Sequence, residues 1–128
     1  MTKNMTERSI TGRIGENIAC EYLIYKKYKI LQRNYRKSFG EIDIIAKSMD
    51  GILVFLEVKT LSRDNQSDRT FTPEDNFTTH KRIKVNRICG FFAGEHPDMF
   101  NEEFGWRIDL IAVTLFGDGR SEVRHYEN

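Results

Sequence analysis

Asp43, Glu57 and Lys59 occupy places where a charge is costly. Glu57 and Lys59 lie in Val54-Phe55-Leu56-Glu57-Val58-Lys59, which is apolar on both faces, and Asp43 lies in Gly40-Glu41-Ile42-Asp43-Ile44-Ile45-Ala46, a second run rich in β-branched residues. Strands that are hydrophobic on both sides are covered on both sides, and a lone charge moved there from water loses several kcal/mol or shifts its pKa to escape. Charges kept in such runs pair with one another or bind a metal. Two acids and a lysine are therefore candidates for one site.

Strand geometry decides whether they meet. Alternation points Phe55, Glu57 and Lys59 to one face and Val54, Leu56 and Val58 to the other. If Met49-Asp50-Gly51 is a three-residue hairpin loop with Gly51 left-handed, Ser48 pairs with Ile52 and the register sets Asp43 opposite Glu57. Directly opposed residues share a face, with Cβ atoms roughly 5 Å apart. A two-residue loop at Asp50-Gly51 would send Asp43 to the other face. Two carboxylates this close repel one another and hold a proton between them unless a cation is present. A hard divalent cation such as Mg²⁺ (or Mn²⁺) takes oxygen ligands and typically uses one or two carboxylates plus substrate phosphate oxygens. Asp43, Glu57 and the main-chain carbonyl of Val58 could supply the protein ligands. Lys59 would neutralise charge that develops in phosphodiester cleavage. The competing reading is a structural ion pair between Lys59 and either acid.

The elements that must position these groups follow from periodicity. Ile14, Ile18, Ala19, Tyr22, Leu23 and Tyr25 recur at helical spacing, which predicts a helix from Thr11 to about Lys27. Ile30–Tyr35, Glu41–Ala46 and Ile52–Lys59 read as three strands of a meander. Residues 60–72 are polar and aperiodic and read as a mobile loop, and Thr72-Pro73-Glu74-Asp75 reads as a helix start. Val85, Ile88, Cys89 and Phe92 give that second helix its buried stripe, with Gly94 ending it. Trp106–Phe116 is a fourth strand, and Gly117-Asp118-Gly119 turns the chain into a fifth near Ser121–Tyr126. The order α-β-β-β-α-β-β predicts an α/β fold with a mixed central sheet flanked by helices.

The chain has 128 residues, 39% hydrophobic and 30% charged, the size and balance of a single globular domain spanning 1–128, with 1–9 as a polar tail. No apolar run approaches the roughly 20 residues of a membrane span. The polar start also lacks the apolar core of a secretory signal, so a cytoplasmic location without membrane partners is the expectation. Cys20 and Cys89 form no CxxC pair and read as buried thiols. His80, His96 and His125 have no metal-ligand spacing and read as solvated. The net charge is only +1, yet Lys26, Lys27, Lys29, Arg33, Arg36 and Lys37 fall in a stretch without acids, and Lys81, Arg82, Lys84 and Arg87 form a second cluster. Locally basic surface can hold a phosphate backbone, and the alternative reading of both clusters is an ordinary solvated face.

Gly40-Glu41-Ile42-Asp43 followed by Phe55-Leu56-Glu57-Val58-Lys59 resembles the PD-(D/E)xK nuclease signature. It is more closely similar to the YraN family of uncharacterised bacterial proteins, which resemble Holliday junction resolvases. Gly12-x-x-Gly15-Glu16 is similar to that family's opening helix, Asn34 to its first strand, Lys81 to its second helix and Arg107-x-Asp109 to its fourth strand. The resemblance implies a restriction-endonuclease-like core and a Mg²⁺-dependent nuclease site in which Asp43 and Glu57 bind metal, Lys59 is the catalytic lysine and Glu16 is a third acid. It points to DNA, branched or single-stranded, contacted by Arg36, Lys37, Arg63, Lys81 and Arg82. The family often has a basic residue soon after the ExK lysine; here Thr60 and Leu61 follow, and Arg63 comes later. Arg107 and Asp109 share a strand face and pair with each other on the structural reading. Junction-cutting relatives act as dimers, because two symmetric nicks need two sites, so a homodimer is compatible. The alternative function is a nucleic-acid-binding or scaffold domain with a nuclease-like fold and little turnover.

Overall fold

A computed structural model describes residues 7–63, 79–99, 103 and 105–127. The elements are α1 (Glu7–Tyr25), β1 (Lys29–Lys37), β2 (Gly40–Lys47), β3 (Leu53–Arg63), α2 (Thr79–Glu95), β4 (Trp106–Phe116) and β5 (Ser121–Tyr126), with a short 3-10 turn at Pro97–Met99. The five strands form one sheet in the order β1-β2-β3-β4-β5. Neighbours are antiparallel except β3 and β4, which run parallel over their whole length. The chain is thus an α/β protein with a mixed sheet and the expected element order.

One helix covers each face. Ala19, Cys20 and Leu23 of α1 pack on Ile44, Ala46, Val54, Leu56, Ile111 and Val113. Ile88, Cys89 and Phe92 of α2 pack with Tyr35, Ile42, Ile45, Leu53, Phe55 and Ile108 on the other side. With both faces covered, β3 and β4 are apolar throughout their middles, which is why their charged residues stand out in the sequence.

Helix α1 buries most of the stripe that its spacing marks: Ala19 and Leu23 lie in the core with Ile18 and Tyr22 packed beside them, and only Ile14 and Tyr25 fall outside it. Ile14 is 43% exposed, whereas Gly15, Ala19 and Leu23, spaced four apart, face the sheet. Small residues win because α1 lies very close to β3. A Cβ placed on Gly15 would stand 1.8 Å from Thr60 Oγ1 and 2.7 Å from Thr60 Cβ, so rotating the threonine would not relieve it. Gly15→Ala is therefore expected to destabilise the fold by about 1–3 kcal/mol through overpacking, despite alanine's better helix propensity. Gly12 has open space around it, and Gly12→Ala is expected to stabilise by up to about 1 kcal/mol. Urea denaturation of the two variants checks the contrast, and equal behaviour would refute the close approach.

Other boundaries shift. Strand β3 continues to Arg63, so Thr60–Arg63 is not loop, because β4 offers a pairing partner along its full length. Glu7–Ser9, expected in a polar tail, already belong to α1. The rest of the expected mobile loop and the proposed helix start at Thr72-Pro73 lie outside the described residues.

Candidate metal and nucleic-acid site

The β2–β3 turn sets the register. Ser48 N donates to the Ile52 carbonyl at 2.9 Å, Gly51 N donates to the Ser48 carbonyl at 2.9 Å, and Ile52 N donates to Ser48 Oγ at 3.1 Å. Met49-Asp50-Gly51 is thus a three-residue loop, and Gly51 takes φ 87°, a conformation open to glycine. The ladder runs Lys47 to Leu53, Ala46 to Val54, Ile45 to Phe55 and Ile44 to Leu56. Continued one step, this register would set Asp43 opposite Glu57, but the paired residues end at Ile44 and Leu56.

At that step the ladder stops and the two strands part, while β3 continues against β4 alone. The parting frees the main-chain groups of Val58 on the side facing β2. Asp43 Oδ2 accepts the Val58 N–H at 2.8 Å, replacing the lost ladder bond. Because the N–H and C=O of one strand residue point to the same edge, the Val58 carbonyl is also turned into the fork.

The strands twist at this place. Residues two apart on a strand ordinarily share a face. Yet Ile42 packs in the α2-side core and Ile44 in the α1-side core. The residue facing Asp43 across the β1–β2 ladder is Asn34, which sits at φ 53°, a left-handed conformation that asparagine tolerates better than most residues. Asp43 consequently lines two cavities. One, of about 140 Å³, is walled by Ile42, Phe55, Glu57, Val85 and Ile108 on the α2 side. The other is an open groove of about 770 Å³ on the α1 side, where Asp43 is joined by Glu16, Val58, Arg13, Arg33 and Arg36. Glu41 reaches both.

Glu16 is not the exposed helix acid its sequence position suggests; its side chain is 13% exposed. Its Oε1 accepts from Arg33 Nε at 3.0 Å and Asn34 Nδ2 at 3.1 Å, and Arg33 Nη2 also donates to Asn17 Oδ1 at 2.8 Å. The Gly15–Thr60 approach delivers it there, since the residue after the tightest contact is carried to the edge of the groove. Burial chiefly, and then the carboxylates of Glu57, Glu16 and Glu41, push the Asp43 carboxyl up to about 6 against the opposing pull of the Val58 N–H. Such crowding favours a cation. Among the described residues no group of three or more His, Cys, Asp and Glu side chains is gathered around one point, so an ion would rely on Asp43, Glu57, the Val58 carbonyl and water. That all-oxygen set fits a hard divalent cation of the Mg²⁺ type, which keeps several waters.

Lys59 is half-buried and follows Glu57 by two positions. Val58 and Thr60 face α1, so Glu57 and Lys59 share the α2-facing side of β3. Arg36 pairs with Glu41 at 3.0 Å and Lys37 with Glu95 at 3.5 Å, while Arg63 is exposed at the end of β3. The side chains of Lys81 and Arg82 lie outside the described residues. Arg13 and Arg33 also line the groove; Arg33 belongs to the basic stretch of the sequence, and Arg13 carries no signal there beyond its charge.

Arg107 and Asp109 pair as the structural reading expects, but in larger company. Arg107 Nε donates to Asp109 Oδ1 at 2.9 Å, and Arg107 Nη2 reaches Asp109 Oδ2 at 3.0 Å and the Tyr28 hydroxyl at 2.8 Å. His125 Nε2 lies 2.8 Å from Asp109 Oδ2, and its Nδ1 lies 3.1 Å from the Tyr22 hydroxyl. Asp109 is 0% exposed. His125 is therefore not a solvated histidine but one arm of a buried network. Its contacts are more than fifteen residues away along the chain, which is why no local pattern announced it.

Fold and site together define a class: an α/β protein with a five-stranded mixed sheet, a helix on each face and a carboxylate-lined fork where two central strands part. A UPF0102 protein from Syntrophus aciditrophicus is 38% identical to this chain over 120 residues, covering 93% of this chain and 87% of that protein. One from Moorella thermoacetica is 41% identical over 112 residues, covering 87% and 85%. One from Thermodesulfovibrio yellowstonii is 36% identical over 118 residues, covering 91% and 92%. The model of the uncharacterised protein family UPF0102 matches residues 15–113, and the chain belongs to that family, the YraN family. The matched span begins at Gly15 and contains Glu16, Asp43, Glu57, Lys59, Arg107 and Asp109. Among the described residues no helix is long and apolar enough to cross a membrane.

Proposed function

We propose that this protein is a metal-dependent nuclease of the restriction-endonuclease-like type that hydrolyses DNA phosphodiester bonds, on branched or single-stranded DNA. The observation that carries this reading is the fork at Asp43. The β2–β3 ladder ends at Ile44 and Leu56, just short of Asp43 and Glu57, which line one cavity, and Asp43 there accepts the Val58 N–H. A divalent cation, when bound, neutralises charge on a phosphate and makes water a better nucleophile. Asp43 and Glu57 would hold it, with the Val58 carbonyl. Lys59, on the Glu57 face of β3, would stabilise charge developing on the phosphate oxygens. Glu16, fixed by Arg33 and Asn34, adds negative charge on the groove side and sharpens the demand for a cation. Arg13, Arg33 and Arg36 along the groove would hold the phosphate backbone beside Asp43.

The test is incubation of purified protein with labelled single-stranded, duplex, flap and four-way DNA in Mg²⁺ or Mn²⁺, alongside Glu57→Ala. Wild type is expected to cleave at least one substrate only with the divalent ion, and Glu57→Ala to cleave it roughly a hundred-fold more slowly or worse. Circular dichroism should show the variant folded. Equal cleavage by both proteins, which would mark a contaminant, or none by wild type on any substrate, would defeat the proposal.

A further inference from the structure

An aromatic and basic patch lies on the α2 side of the sheet, away from the α1-side groove. The β1–β2 turn carries Phe39, and α2 carries Phe91, which is 46% exposed. Their rings meet edge to face, with centroids 5.6 Å apart and planes at 71°. Lys37 Nζ stands 5.1 Å from the Phe91 centroid and 5.2 Å from that of Tyr35, and Arg87 Cζ stands 5.4 Å from the Phe39 centroid. Lys84, Arg87 and Phe91 lie three and four residues apart and so share one helix face; all three are exposed. Glu95, which pairs with Lys37 and accepts from the Tyr35 hydroxyl, places an acid at this patch.

Resting on the nuclease reading, we propose that Phe39 and Phe91, with Lys37, Arg87 and Lys84 around them, form a stacking platform for the unpaired bases of single-stranded DNA. An exposed ring, Phe91, edge to face with the partly buried Phe39 and bordered by cations, matches the chemistry of such a strand, whose bases offer π-faces and whose phosphates need positive charge. In a duplex those faces are stacked on neighbouring bases and unavailable. An apolar protein partner would be matched less well, since three cations would border the contact. The platform is also placed to serve the fork. Phe39, in the turn that leads into β2, precedes Asp43 by four residues, at most about 13 Å at the strand rise, within the few nucleotides that such sites span. A strand laid across both rings would thus present a phosphate near Asp43 and Glu57, which makes the substrate a strand with unpaired bases beside the cleavage point.

The experiment measures binding without chemistry. Fluorescence anisotropy of a labelled oligothymidylate of about twelve nucleotides, and of a duplex of equal length, is followed in EDTA at low salt for wild type, Phe91→Ala, Phe91→Trp and Phe39→Ala. Each alanine variant is expected to bind the single strand roughly ten-fold more weakly, with less than about a two-fold change for duplex, and Phe91→Trp to bind it at least as well as wild type. Phe91 is exposed, so its alanine variant should fold; melting curves check this, and Phe91→Trp supplies an independent readout through its own fluorescence. Unchanged single-strand affinity in both alanine variants overturns the platform, as does an equal loss on duplex, which would mean that only charge is felt. Because no divalent ion is present, platform-dependent binding by a protein that cleaves nothing in Mn²⁺ would uphold the platform while removing the nuclease.

Discussion

Asp43→Asn is expected to yield a protein that is more stable than wild type near neutral pH and unable to cleave DNA. Asparagine keeps the shape and an oxygen to accept the Val58 N–H, but it removes the charge that burial and the carboxylates of Glu57, Glu16 and Glu41 oppose. In the unfolded chain the Asp43 carboxyl titrates near 3.8, and in the folded protein it is pushed up to about 6. Between those values the folded state holds the extra proton, so its stability falls as pH rises from about 4 to about 6 and levels off above. The penalty at neutral pH is at most roughly 3 kcal/mol, and the variant should be relieved of it. Urea denaturation from about pH 4 to about pH 8 should show the two curves meeting at the acid end and separating above it. Mg²⁺ or Mn²⁺ should raise the melting temperature of wild type near neutral pH, where the carboxylate is free of its proton, and leave Asp43→Asn unchanged. Higher stability with lost cleavage is a combination that misfolding cannot imitate. A variant less stable than wild type at neutral pH would show that the acids do not crowd one another as described.

The second large effect concerns stability alone. Asp109→Ala should cost about 3–5 kcal/mol, because it leaves the Arg107 guanidinium, together with one side of His125, without the carboxylate they share in a buried place. The double variant Arg107→Met with Asp109→Leu should recover much of the loss, since apolar groups of similar volume replace buried charges well once both partners are gone. Denaturant titration of Arg107→Met, Asp109→Leu and the double variant provides the cycle, with Asp109→Ala measured beside them. A loss below about 1 kcal/mol for Asp109→Ala, or a double variant no better than the worse single one, would mean that the network is not a coupled unit. The network joins α1 through Tyr22 to β4 and β5, so its loss should loosen the helix that carries Glu16.

The heart of the candidate site was readable before any coordinates because it depends on local rules. A charge inside a doubly apolar run is anomalous wherever it occurs, and a three-residue loop closed by a glycine sets a hairpin register on its own. Asp43 and Glu57 could therefore be placed opposite one another from the chain between Gly40 and Lys59. The stripe of α1 was legible at Ile18, Ala19, Tyr22 and Leu23, but not at its start, where close approach puts Gly15 rather than Ile14 against the sheet.

Beyond that hairpin, pattern alone could say little. Sequence by itself determined the elements, their order and the pairing of two adjacent strands, since each follows from repeats of two or 3.6 residues and from turns a few residues long. Tertiary structure alone decided that β3 would run parallel to β4 as far as Arg63, that Glu16 would lean on Arg33 and Asn34, that His125 would join Asp109, and that Phe39 would meet Phe91. Those contacts close loops between segments distant along the chain. The free energy that selects them comes from burying two helices against a whole sheet, and no short stretch of residues carries a record of it.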